Sequence, residues 1–215
     1  MNRLWITLLS LFALTSLVHA QEDIRFRAKV GMGASGYIDS NIDYAFGYNL
    51  GGYTDIQFKE APVFLTTGLS VVKRGGKGDT SIGDLKINAF YLEVPVHVRV
   101  ESGFFDFENI SYFGSIGPYV GLGLFGKTKW DSYSYTKPSL KPGVGEETIR
   151  VEGDSVSSFS DGRLRRFDVG MGANFGLIFS QRVELSGTFN LGFVDAMKQG
   201  GGKNQHISLI LGYIF

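Results

Sequence analysis

The chain has no cysteine, only five prolines and no excess of either charge among its 215 residues. Without cysteine it forms no disulfide, carries no thiolate metal site or thiol nucleophile, and has no residue for lipid attachment at an N-terminal cysteine. Lys and Arg number 21, as do Asp and Glu, so the basic field expected of a nucleic-acid binder is missing. Beyond residue 20 no apolar run approaches the ~20 residues that a helical membrane span needs. An exported chain of this kind must be held together by its own sheet, a metal or a membrane.

What is abundant is glycine and aromatic residues: 30 Gly, 18 Phe and 10 Tyr. That mixture, poor in proline, favours strands over helices. The first twenty residues read differently. Arg3 precedes an apolar core at 4–18, and Val18-His19-Ala20 supplies small residues where a signal peptidase cuts. Residues 1–20 are therefore expected to be a secretory signal peptide, with 21–215 as one domain. Removing Arg3 with the leader leaves a formal charge of −1.

The last stretch, 205–215, sets the pattern for the rest. Ile207, Leu209, Leu211, Tyr213 and Phe215 form one apolar row, while His206, Ser208, Ile210, Gly212 and Ile214 form a mixed one. Alternation at period two marks a strand with two unlike faces. Similar alternation recurs at 24–37, 42–58, 63–73, 85–100, 110–130, 163–179 and 183–193, which makes eight strands. In the fourth, Leu85 and Ile87 are out of phase with the row Leu92, Val94, Val96, Val98 and Val100, which predicts a bulge near 88–90. The stretch 74–79 reads as a flexible polar loop, and 131–162 as the longest irregular, solvated segment.

Connections after the second, fourth and sixth strands are short, whereas those on the opposite side are polar and include 131–162. That asymmetry, the even strand count and the strand lengths match a barrel in a bilayer. The expected fold is all-β: an eight-stranded antiparallel up-and-down transmembrane β-barrel in the cell outer membrane. Its last strand must pair with both the seventh and the first. Phe58, Phe64, Tyr112, Phe179, Tyr213 and Phe215 map to strand ends on the short-turn side, and Tyr37, Tyr44, Phe46, Phe125 and Trp130 to the other, as two interfacial aromatic bands.

The polar rows then fill the lumen. Arg25, Arg27, Lys29, Arg99 and Arg166 are set against Asp43, Asp55, Glu93, Asp168 and Glu184, with His97 also inward, as a structural network of ion pairs rather than an open pore. Gly31, Gly33, Gly47, Gly51, Gly121, Gly123, Gly170 and Gly172 make room for these side chains and for curvature.

Chemical motifs are sparse. Two GxGxxG matches, Gly31 to Gly36 and Gly121 to Gly126, lie within strand patterns with no helix behind them, so no nucleotide cofactor is expected. His97 with Glu93, and His206 with Ser208, raise the alternative of a lipid-modifying barrel enzyme. They map to different halves of the barrel and read better as lumen residues. Asp131, Glu146, Glu147, Glu152, Asp154 and Asp161 lack the spacing of a calcium loop, and no catalytic or metal site is expected.

Four segments carry a family resemblance. Tyr91-Leu92-Glu93-Val94-Pro95-Val96, Gly117-Pro118-Tyr119-Val120-Gly121, Phe167-Asp168-Val169-Gly170 and Phe189-Asn190-Leu191-Gly192-Phe193 resemble strands of the PorT-like outer-membrane β-barrel family of Bacteroidetes. Phe193 departs from that family's usual Leu. The resemblance implies a Gram-negative outer membrane, and one member takes part in protein secretion and gliding motility. The functional expectation is a non-enzymatic, structural or scaffolding barrel without cofactors. Its partners are outer-membrane lipid and other envelope proteins reached through 131–162; it binds no nucleic acid and is a monomer. A small-solute pore and a soluble lipocalin-like carrier are the remaining alternatives.

Overall fold

The computed structural model describes residues 24–40, 42–58, 61–80, 83–102, 109–131, 133–138, 146–159, 164–198 and 201–215. The leader expected at 1–20, with its cleavage point, lies outside the described residues, as does Asp161.

Alternation becomes eight long staves. They are β1 (Ile24–Ile38), β2 (Asp43–Gln57), β3 (Val63–Thr80), β4 (Gly83–Ser102), β5 (Ile110–Trp130), β9 (Phe167–Phe179), β10 (Val183–Met197) and β11 (Gly201–Ile214). Between β5 and β9 lie three short strands, β6 (Tyr133–Pro138), β7 (Glu146–Val151) and β8 (Asp154–Ser157). Each stave pairs antiparallel with its neighbour, and β5 turns from β4 to β9. The circle closes where β1 meets β11, in register from Arg27 opposite Ile214 to Ile38 opposite Lys203. This is a closed eight-stranded antiparallel barrel with no free edge among its staves.

The two faces are inverted relative to a water-soluble barrel. Phe175 is 67% exposed and Leu209 60%, while Arg27 is 2% and Glu184 0% exposed. Along β4, Val100, Val98, Val96, Val94, Leu92 and Phe90 face outward. At ~3.4 Å per residue this row runs ~34 Å along a strand tilted by ~45°, which gives the ~25 Å apolar height of an outer-membrane barrel. A lipocalin-like carrier, with apolar rows inside, is thereby overturned.

Several local expectations change. The supposed loop 74–79 is strand, continuing β3 in register with β4. No bulge forms in β4. Ile87, Ala89 and Tyr91 simply face inward, and the register slips on β5 instead, where Phe90 opposes Phe125 but Tyr91 opposes Gly123. Phe64 and Tyr37 also point inward, 5% and 4% exposed, so neither belongs to an interfacial band. Segment 131–162 is not uniformly irregular: β6 and β7 make a two-stranded sheet of their own, and β8 pairs antiparallel with the loop end of β5. The tight β9–β10 turn places both Ser180 and Gln181 at positive φ, and the Arg182 N–H donates to Phe179 O at 3.0 Å. Two positive-φ centres match the right-handed twist of a hairpin.

Candidate functional site

The lumen is layered. Near the short-turn end Phe113, Ile178 and Ile214 form a small apolar floor. Above it lies a cation-rich cluster centred on Glu184. Its Oε2 accepts from Arg27 Nη1 at 2.7 Å and Arg99 Nη1 at 3.1 Å, and its Oε1 from Lys29 Nζ at 2.5 Å and Ser186 Oγ at 3.0 Å. Arg27 also pairs with Asp55, which accepts from Thr66 Oγ1 at 2.6 Å. Arg99 lies 3.4 Å over the Phe113 ring and reaches Glu101 at 2.6 Å, and Glu101 in turn holds Arg25 at 2.9 Å. Buried guanidinium and carboxylate groups persist here because each is matched by charge-assisted bonds.

A belt of uncharged polar groups follows. Asn174 Nδ2 donates to Ser115 Oγ at 2.9 Å and lies 3.1 Å from His97 Nδ1, while Thr188 Oγ1 donates to Asn174 Oδ1 at 2.5 Å. Asn49 Nδ2 donates to Ser208 Oγ at 3.3 Å. The cavity at this level holds about 40 Å³, enough for one or two waters and far short of a solute path.

The second ionic cluster has the opposite make-up. Arg74 pairs with both Glu93 and Asp168, and the Tyr119 hydroxyl donates to Asp168 Oδ2 at 3.0 Å. The Arg74 guanidinium also faces the rings of Tyr91 at 5.2 Å and Tyr119 at 5.1 Å. Above it sits an apolar plug of Tyr37, Ile87, Ala89, Tyr91, Phe159, Leu164 and Ala196. Phe159 enters from the segment after β8 and meets Tyr91 edge-on at 5.6 Å. It fits only because Gly123 has no side chain, since a Cβ there would overlap the Phe159 ring. Arg166 clamps the same place, donating to Gly123 O and Leu124 O, both at 2.9 Å, with its guanidinium over Phe159.

The sequence-derived network lands as follows. Arg27, Lys29, Asp55, Arg99 and Glu184 meet in the lower cluster, Arg25 at its rim, and Glu93 and Asp168 in the upper one. His97 is inside but bonds Asn174, not a charge. Two residues need correction. Asp43 is exposed at the rim because a register slip between Tyr44 and Tyr48 separates it from the inward row, and Arg166 is exposed on the bulge of β5. Their places inside are taken by Glu101 and Arg74. Strand parity alone would have found Glu101; Arg74 was hidden by the glycines after it.

For acid–base or nucleophilic chemistry the groups are poorly arranged. Glu93 is committed to Arg74, His97 to Asn174, and Ser208 accepts from Asn49 instead of bonding His206. Both GxGxxG matches lie inside β1 and β5. Among the described residues no three His, Asp or Glu converge as a metal site.

A family model described as "Outer membrane protein beta-barrel domain" matches residues 19–198. Among solved structures, Neisserial surface protein A is 8% identical, covering 89% of this chain and 97% of that one, with a TM-score of 0.46. Ail, the attachment invasion locus protein of Yersinia pestis, is 14% identical over 89% and 97%, at 0.42. The N-terminal β-barrel domain of Pseudomonas aeruginosa OprF is 10% identical over 91% and 98%, at 0.37. The comparison with curated protein sequences returned no match. With its inverted faces, closed circle of eight staves and family match across residues 19–198, the chain belongs to the outer membrane protein beta-barrel domain family and is a protein of the outer membrane.

Proposed function

We propose that this protein is a non-enzymatic, plugged barrel that acts as a monomeric membrane scaffold and presents its longest loop, 131–162, to another envelope protein. The observation that carries this reading is the filled lumen. Between the apolar floor and the apolar plug the ionic layers leave a cavity of about 40 Å³, and Glu93, His97 and Ser208 are each held by a structural bond. The β6–β7 hairpin supports a role at the loop side, since it forms a sheet separate from the barrel. The likeness of Tyr91 to Val96 and the three later segments to PorT-like barrels of Bacteroidetes favours an association with protein secretion within this reading.

A photo-crosslinking residue placed at Tyr135 tests the loop. The expected result is a discrete crosslink to one envelope protein, lost when 133–151 is replaced by a short Gly-Ser linker while heat-modifiable migration of the barrel is kept. Crosslinks to lipid alone would remove the scaffold role. Step conductance of the wild-type barrel in a planar bilayer would favour the pore instead. A changed membrane lipid profile in a His97→Ala, His206→Ala strain would favour the lipid-modifying enzyme.

A further inference from the structure

The outer wall carries one arrangement that lumen filling does not explain. At the loop end of β3, β4 and β5, Lys77 lies directly opposite Lys86, and Lys86 directly opposite Lys129. All three face outward, as does Lys127 one step below on β5, and all four are exposed. Like charges placed opposite one another across strands repel, so a row of three costs stability unless an anion lies between them. The protein compensates these charges in part. Lys86 reaches Asp131 at 3.2 Å, with both side chains about half exposed, and Asp43 lies opposite Lys77 in register. Asp84 is also exposed at this rim, while Lys77, Lys127 and Lys129 make no ion pair among the described residues.

The row stands at a particular height. Just below it the outward positions carry aromatic rings: Phe90 and Phe125 stack at 4.7 Å, Tyr48 is edge-on to Phe90 at 6.0 Å, and Lys73, opposite Phe90, lays its ammonium over the rings of Phe46 and Tyr48. Further down run Val71, Leu92 and Leu122. The lysine level is therefore where acyl chains end and headgroups begin, on the side that carries the long loop. Three adjacent strands spread the ammonium groups over ~10 Å. A ligand matching this surface has acyl chains for the wall below and phosphates for the lysines above. On the β10–β11 flank Lys203 stands between Ile38 and Asp195, with no lysine opposite it.

We propose that Lys77, Lys86, Lys127 and Lys129 form a binding site for the phosphate groups of an outer-leaflet phosphorylated glycolipid, lipopolysaccharide, seated against the Phe90–Phe125 wall. The inference rests on the loop side facing outward, as the scaffold reading requires.

The test uses the detergent-purified full-length barrel and three probes: purified lipopolysaccharide, the same lipid with its phosphates removed, and inorganic phosphate. Wild type should bind lipopolysaccharide saturably. The variant Lys77→Gln, Lys86→Gln, Lys127→Gln, Lys129→Gln should bind at least about tenfold more weakly, since each surface cation contributes independently to an anionic headgroup. Lys203→Gln should match wild type, and the dephosphorylated lipid should lose as much affinity as the fourfold variant. Equal binding by wild type and the fourfold variant, or equal binding of the dephosphorylated lipid, overturns the site. Full competition by millimolar inorganic phosphate would assign the lysines to a soluble anion and overturn the lipid. Heat-modifiable migration of each variant verifies the barrel, and crosslinking at Tyr135 reports separately on the scaffold reading.

Discussion

The two ionic layers of the lumen are mirror images in stoichiometry. Around Glu184 four cations, Arg25, Arg27, Lys29 and Arg99, share three carboxylates; around Arg74 one guanidinium serves two. Each layer is imbalanced, yet together they hold five charges of each sign. Neutrality is a property of the whole lumen, reached across an uncharged belt, and each layer is organised by its minority charge. A group that bridges several like-charged partners matters more than any of the partners it bridges.

That contrast makes predictions of graded size. Glu184→Gln removes the anion that separates three buried cations, and none of these can be neutralised cheaply by rotation into water. Urea unfolding of the barrel in detergent should show a loss of roughly 3–5 kcal/mol, the range for breaking a buried pair from one side. If the loss is no larger than for Ser186→Ala, Glu184 is not the hub. Arg74→Gln strands only two carboxylates, and Tyr119 still donates to Asp168, so its cost should be smaller, about 2–4 kcal/mol. Adding Glu93→Gln to that variant should restore part of the loss, because the two changes share one interaction. A strictly additive double variant would contradict the upper cluster as described.

The plug provides a smaller, local effect. Phe159→Ala leaves the ionic layers intact but removes the wedge against Tyr91. Cleavage of intact barrels by added protease within 154–164 should rise by about a hundredfold, with the global unfolding midpoint little changed. Unchanged cleavage would mean that Arg166 and the Thr128–Ser158 contact hold the segment unaided. Smallest of all, Asp43→Asn should leave the unfolding curve superimposable on wild type, because Asp43 is exposed at the rim. A measurable loss would put Asp43 back among the charges that hold the barrel.

Much of this was legible in the sequence, for a physical reason. A bilayer on one side and a crowded lumen on the other impose period-two alternation on every stave, so Leu92 to Val100 and Ile207 to Phe215 declare their faces unaided. The failures share a cause as well. Arg74-Gly75-Gly76-Lys77-Gly78 looks like a loop because glycine and charge mark loops in soluble proteins. In a barrel wall the same composition is a stave, with a long cation inward and small residues beside it. Ile87 suggested a bulge because an inward apolar residue was not expected; it belongs to the plug. Position along the strand puts Tyr37 and Phe64 in the interfacial bands, whereas strand parity turns both inward. Phe159 left no signal: one aromatic in a polar segment says nothing about where the segment folds back.

The seam between β1 and β11 has a consequence for assembly. Twelve registered pairs join residues almost the whole chain apart, and the Phe215 N–H donates to Phe26 O at 2.9 Å. None of these bonds can form before the final stave arrives. Until then the sheet has two bare edges, and within acyl chains an unpaired backbone group costs several kcal/mol. A partly built sheet therefore has no stable resting place in the hydrocarbon. Insertion has to be coupled to closure, so the seam is where an assembly catalyst would act, and a peptide copying 205–215 should arrest folding by occupying the β1 edge.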